Sequence, residues 1–124
     1  MYTAINLDKE NHNKLVQHVI HLIPEDWKIF ADHYTVNMGK IENGPLKTRN
    51  FLGGLVELEV ESIAANDKVI AVGIKTEAPS LNKYKHITIA VNVANGGKPV
   101  MSNNLTDWHP IETLILYGTV EENQ

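Results

Sequence analysis

The sequence predicts an α+β domain dominated by an antiparallel or mixed sheet, and three observations carry that prediction. A single helical apolar stripe lies near the N-terminus, several later runs alternate apolar and polar residues with a period of two, and Gly/Asn/Pro-rich segments separate them. "MYTAINL" opens as a short strand. In "DKENHNKLVQHVIHLI" the residues Leu15, Val16, Val19, Ile20 and Ile23 fall on one helical face. Asp8 or Asn11 is placed to cap the start and Pro24 lies just past the end, which predicts a helix over about residues 9–23. "DHYTVNMG" then reads as a strand and "GKIENGPLKTRNFLGG" as a long loop. "LVELEVESI" alternates Val56, Leu58 and Val60 with Glu57, Glu59 and Glu61, whose carboxylates form a wet face. With "KVIAVGIK" it predicts an antiparallel hairpin turned at "AAND". "EAPSLNKY" is a connector, "KHITIAVNV" a further strand, "ANGGKPVMSNNLTDWHP" a second long loop and "ETLILYGTV" a closing strand.

Length and composition set the bounds. At 124 residues, with 43% hydrophobic and 21% charged residues, the chain is expected to form one soluble domain spanning 1–124. No apolar run approaches the roughly 20 residues that cross a bilayer, and the N-terminus has no secretory pattern. The absence of cysteine rules out disulfides and thiolate zinc sites and suits a reducing compartment, so a cytoplasmic location is expected. A net charge of −4 and a pI near 5.8 argue against binding along extended nucleic acid. A small nucleotide or the end of an RNA, met by a local basic patch, stays open.

The chemistry concentrates in one repeated pattern. "HYTV" (His33 to Val36) and "HITI" (His86 to Ile89) each place a histidine and a threonine two residues apart on a predicted strand. Side chains alternate across a strand, so each His-Thr pair shares a face opposite its apolar neighbours. If the apolar faces enter the core, all four polar groups stand on the other surface. Two imidazoles at one cavity make an acid and a base near neutrality. Two hydroxyls beside them can donate to the non-bridging oxygens of a phosphoryl group. That set suits in-line displacement at phosphorus without a metal or other cofactor. Each motif taken singly also has a plain structural reading, because threonine favours strands and an exposed histidine needs no function.

The doubled motif resembles the signature of the two-histidine (2H) phosphoesterase superfamily. Its surroundings, "HYTVNMG" around the first copy and "GGKPVMSNN" after the second, resemble RNA-repair or tRNA-ligase-associated cyclic-phosphodiesterase-like domains. The resemblance implies a small bilobal, mostly antiparallel sheet with one main helix and a pseudo-twofold cleft lined by both motifs. It also implies action on a 2′,5′ or cyclic phosphodiester, with His33 and His86 as acid and base and Thr35 and Thr88 holding phosphate. Which histidine takes which role is open at this level. The alternative is a non-catalytic module that keeps the cleft to bind nucleotides or RNA ends.

Further candidates are weaker. Tyr84 shares a face with His86 and could stack on a base or bond a phosphate. Lys47 and Arg49 in the first loop and Lys98 in the second could supply positive charge, although solvated loop charge is the simpler reading. Ser102, Asn103 and Asn104 could add donors or simply make a turn. His18 and His21 on the helix lack a third ligand, so no metal site is expected. His12 and His109 read as surface or turn residues. No partner beyond a small nucleotide or RNA end is indicated, and oligomeric state is not legible.

Overall fold

Asp8 starts the helix: its carboxylate accepts the Asn11 backbone N–H at 2.8 Å, so helix α1 runs Lys9–Val19 and tightens into a 3₁₀ turn over Ile20–Leu22. Leu15 and Val19 are buried, as the apolar spacing predicts, whereas Ile20 is exposed because the tightened turn rotates it off the stripe. A computed structural model describes residues 1–124.

Around this helix lie seven strands: β1 (Tyr2–Leu7), β2 (Lys28–Ile29), β3 (His33–Met38), β4 (Leu55–Ala65), β5 (Val69–Lys75), β6 (His86–Val91) and β7 (His109–Asn123). The fold is a mostly antiparallel sheet with one main helix. Strands pair in the order β6-β3-β1-β7-β4-β5, and β5 pairs back to β6, so the sheet closes into a barrel-like ring. Every pairing is antiparallel. The hairpin between β4 and β5 forms where the sequence places it, with the Asn66 side chain accepting the N–H groups of Lys68 and Val69. Both long loops contain 3₁₀ segments, Ile41–Asn43 and Arg49–Phe51 in the first and Val93–Asn95 and Pro99–Asn104 in the second.

Strand β2 has no clear sequence signal. It pairs with the same edge of β6 that β3 uses, Ile29 facing Ala90 and Tyr34 facing Ile87. In the register of β2, Ile87 would face residue 32, so two residues are looped out between the strands. Buried Ala31, in the left-handed region at φ 54°, makes that bend, while its N–H donates to the Thr88 carbonyl at 3.0 Å.

The main core gathers Ile5, Tyr34, Val36, Leu58, Val60, Val72, Ile87, Ile89 and Leu116 with Leu15 and Val19 of the helix. Tyr34 is its largest fully buried side chain, and its phenol donates to the Ala78 carbonyl at 2.8 Å. A second cluster lies on the outer side of β5 and β6, where Leu105, Met101 and Trp108 pack against Ala64, Val69, Ala71 and Val91. That cluster fastens the second long loop across the outside of the sheet.

Candidate active site

Strands β3 and β6 meet at one antiparallel pair, Tyr34 opposite Ile87, both buried in the main core. The residues on either side therefore point outward, His33 across from Thr88 and Thr35 across from His86. A local twofold axis through the Tyr34/Ile87 pair exchanges His33 with His86 and Thr35 with Thr88. Two copies of His-x-Thr, paired antiparallel at the middle residue, generate this symmetry without further help. Diagonal neighbours of this kind stand about 7–8 Å apart, so the two imidazoles flank a space suited to one phosphoryl group. All four side chains line one cavity of about 1050 Å³.

The two halves differ in what engages them. The His86 Nδ1–H donates to the Tyr84 carbonyl at 2.7 Å, which fixes the tautomer and turns Nε2 toward the site. There Nε2 lies 3.0 Å from Ser102 Oγ, and Thr88 Oγ1 lies 2.7 Å from the same oxygen. Ser102 Oγ is also 2.7 Å from the Pro99 carbonyl. Ser102 owns one proton for these partners. When His86 is neutral the hydroxyl donates to Nε2; when His86 is protonated, Nε2–H donates to Oγ and the hydroxyl turns to Pro99. Ser102 is 2% exposed and His86 7% exposed. Burial pushes the His86 pKa below its ordinary value, the Tyr84 carbonyl and then the Asn103 side chain opposing.

His33 is half-buried, and no protein hydrogen bond engages its ring or the Thr35 hydroxyl. Burial lowers its pKa as well, the Asp32 carboxylate pulling it up and the second imidazole pushing it down. The Tyr2 ring sits 5.1 Å from the His33 ring, and Asn6 faces His33 across the β1–β3 ladder. Leu81 and Asn82 of the connector and Pro99, Val100 and Asn103 of the second loop complete the walls. Asp32 and Glu121 also line the cavity, and no lysine or arginine does.

Of the residues singled out from sequence, His33, Thr35, His86, Thr88, Ser102 and Asn103 thus converge. Tyr84, Lys47, Arg49 and Lys98 are not among the lining residues. Tyr84 packs instead 6.0 Å from the Trp108 ring, although its carbonyl orients His86. Arg49 is 3.0 Å from Glu122 and 3.3 Å from Glu42, ion pairs that tie the first loop to β7. His18 meets the Glu112 carbonyl and His12 that of Ala31, each at the surface of the helix. Residues that sequence reading missed are Tyr2, Asn6, Glu121 and Asn123. The period of two in β1 could have placed Tyr2 and Asn6 on one face, but nothing local says that this face adjoins His33.

The position of Ser102 depends on how its loop is anchored. Gly97 is buried where the loop turns, and a Cβ there would run into the backbone carbonyl oxygens of Lys68 and Asn92. Backbone atoms yield less readily than side-chain tips. Gly97→Ala is therefore expected to displace the Pro99–Asn104 segment and draw Ser102 Oγ away from His86 Nε2. A changed His86 ring signal by NMR, with a circular dichroism check of the fold, measures this.

No curated protein and no solved structure matches the chain. A family model does match, described as the fungal tRNA ligase phosphodiesterase domain, over residues 11–114. The matched span includes both His-x-Thr strands and the Ser102 loop. The chain therefore belongs to the fungal tRNA ligase phosphodiesterase domain family, a two-histidine phosphoesterase-type domain.

Proposed function

We propose that this phosphodiesterase-type domain hydrolyses a 2′,3′-cyclic phosphate, at an RNA end or on a nucleotide, by metal-independent acid-base catalysis between His33 and His86. The observation that carries this reading is the convergence of both His-Thr pairs, related by a local twofold axis, on one cavity. His86 is the base. Its Nδ1 proton is fixed on the Tyr84 carbonyl, so Nε2 holds the lone pair once the Ser102 proton turns to Pro99. His33 is then the acid, and the Asp32 carboxylate supports its protonated form against the burial that lowers its pKa.

In the reaction Nε2 of His86 takes a proton from water as the water oxygen bonds to phosphorus. The bond from phosphorus to one ribose oxygen breaks in line, and His33 protonates that oxygen. Thr35, whose hydroxyl is free, donates a hydrogen bond to a non-bridging oxygen, and Thr88 donates to the other by turning its proton away from Ser102 Oγ, as charge grows on those oxygens in the transition state. His86 then releases its proton to solvent and His33 takes one up, which resets the pair.

The test is a panel of nucleoside 2′,3′-cyclic monophosphates, RNA with a cyclic phosphate end and cyclic dinucleotides, assayed in EDTA. Turnover of a 2′,3′-cyclic end is the expected result. Binding of these compounds with no turnover of any would leave the non-catalytic module instead.

The pH dependence follows from burial. Both imidazoles are held below the ordinary histidine value of about 6.5. The working form needs one protonated and one neutral, so kcat/KM is expected to follow a bell centred on the acid side of that value. A bound phosphate anion favours both protonated forms and moves the kcat bell to higher pH. Asp32→Asn removes the carboxylate that supports protonated His33, so the alkaline limb of kcat/KM should shift to lower pH. A pH series on both proteins reads the shift.

A further inference from the structure

The cavity extends beyond the histidines onto β1 and β7, and the side chains there form a locked polar group. Asn6 Nδ2 donates to Asn123 Oδ1 at 2.7 Å, and Asn123 Nδ2 donates back to Asn6 Oδ1 at 2.9 Å. The second Asn6 Nδ2 proton goes to Glu121 Oε1 at 2.7 Å. The carboxylate is thus held in place by an amide that is itself held; Asn6, Glu121 and Asn123 all line the cavity, and Glu121 Oε2 accepts no hydrogen bond from the protein.

Charge says what this group does not read. With no lysine or arginine among the lining residues and the Glu121 carboxylate in place, this arm of the cavity disfavours a second phosphate. It asks for a neutral group rich in N–H donors. Position says how far away that group lies. Glu121 sits on β7 opposite Ala4, two strands from β3. Neighbouring strands are about 4.8 Å apart, so the β7 backbone is about 12 Å from the line midway between β3 and β6. A ribose, a purine ring and one hydrogen bond cover that span with the glutamate reaching back.

We propose that Glu121, oriented by Asn6 and Asn123, reads the guanine edge of the nucleotide whose cyclic phosphate lies between the two histidines. Guanine presents adjacent N1–H and N2–H donors, which match the two oxygens of a carboxylate. Adenine and cytosine pair one donor with a ring-nitrogen lone pair that would face the carboxylate, and uracil flanks its one N–H with carbonyl oxygens. The site therefore repels the other bases as well as attracting guanine. This reading rests on the hydrolysis proposed above.

The experiment compares kcat/KM for guanosine, adenosine, cytidine and uridine 2′,3′-cyclic monophosphates on the wild type and on Glu121→Gln. Guanosine is expected to lead by about tenfold or more, and the lead should collapse toward one in the variant. Equal values for all four bases in the wild type, or a lead that Glu121→Gln leaves intact, overturns the proposal. A second arm measures equilibrium binding of guanosine and adenosine 3′-monophosphates. If the wild type turns over none of the substrates but binds the guanosine compound more tightly, and Glu121→Gln loses that preference, base reading stands and the hydrolysis reading falls. No preference in either arm overturns base reading alone where turnover is seen.

Discussion

His86→Ala is expected to lower kcat by roughly 10²–10⁴-fold, the usual range for loss of one acid or base. His33→Ala should fall in the same range, and the double variant should lose far less than the product of the two, since each step needs both partners. The two single variants differ in side effects. His33 is half-buried and engages no protein hydrogen bond, so its removal should hardly move the melting temperature. His86 lies buried between the Tyr84 carbonyl and Ser102, and alanine leaves both without that partner. Some destabilisation therefore accompanies the second variant. Single-turnover rates on folded protein separate lost chemistry from lost fold; a drop of less than tenfold in both would remove the acid-base assignment.

Tyr34→Ala is expected to carry the largest cost to stability among single substitutions in the sheet. Truncating a fully buried aromatic costs about 3–5 kcal/mol, a large share of the roughly 5–15 kcal/mol that holds a domain together. The Tyr34 hydroxyl is also the partner of the Ala78 carbonyl, which burial would leave unsatisfied. Tyr34 is the residue on which the two His-Thr strands meet, so the cavity its truncation opens lies directly beneath the face that carries both His-Thr pairs. Urea unfolding should show a lower midpoint with an unchanged slope. Tyr34→Phe keeps the ring and should lose only about 1–3 kcal/mol, the cost of the orphaned carbonyl.

Much of the site was legible because parity in a strand is local information. The alternation in "HYTV" and "HITI" places each histidine with its threonine whatever the partner strand is, and the core side chains Tyr34 and Ile87 confirm those faces. Strand order is non-local. That β3 and β6 lie side by side depends on a closed ring of pairings, which no window of the sequence contains. The same holds for Asn6 and Glu121, whose side chains meet across 115 positions of chain. Ala31 gives no turn signal, yet its left-handed backbone sets the offset that brings Tyr34 opposite Ile87. "MSNN" reads either as donors or as a turn, and the apolar cluster around Leu105 and Met101 is what seats Ser102 against His86. Basic loop residues looked suited to phosphate, whereas Arg49 is taken up by Glu42 and Glu122.

The ladder between β1 and β7 pairs Tyr2 with Asn123, and both side chains border the cavity. Chain joined before Tyr2 or beyond Asn123 therefore leaves from the rim of the pocket, where added bulk narrows the way in for substrate.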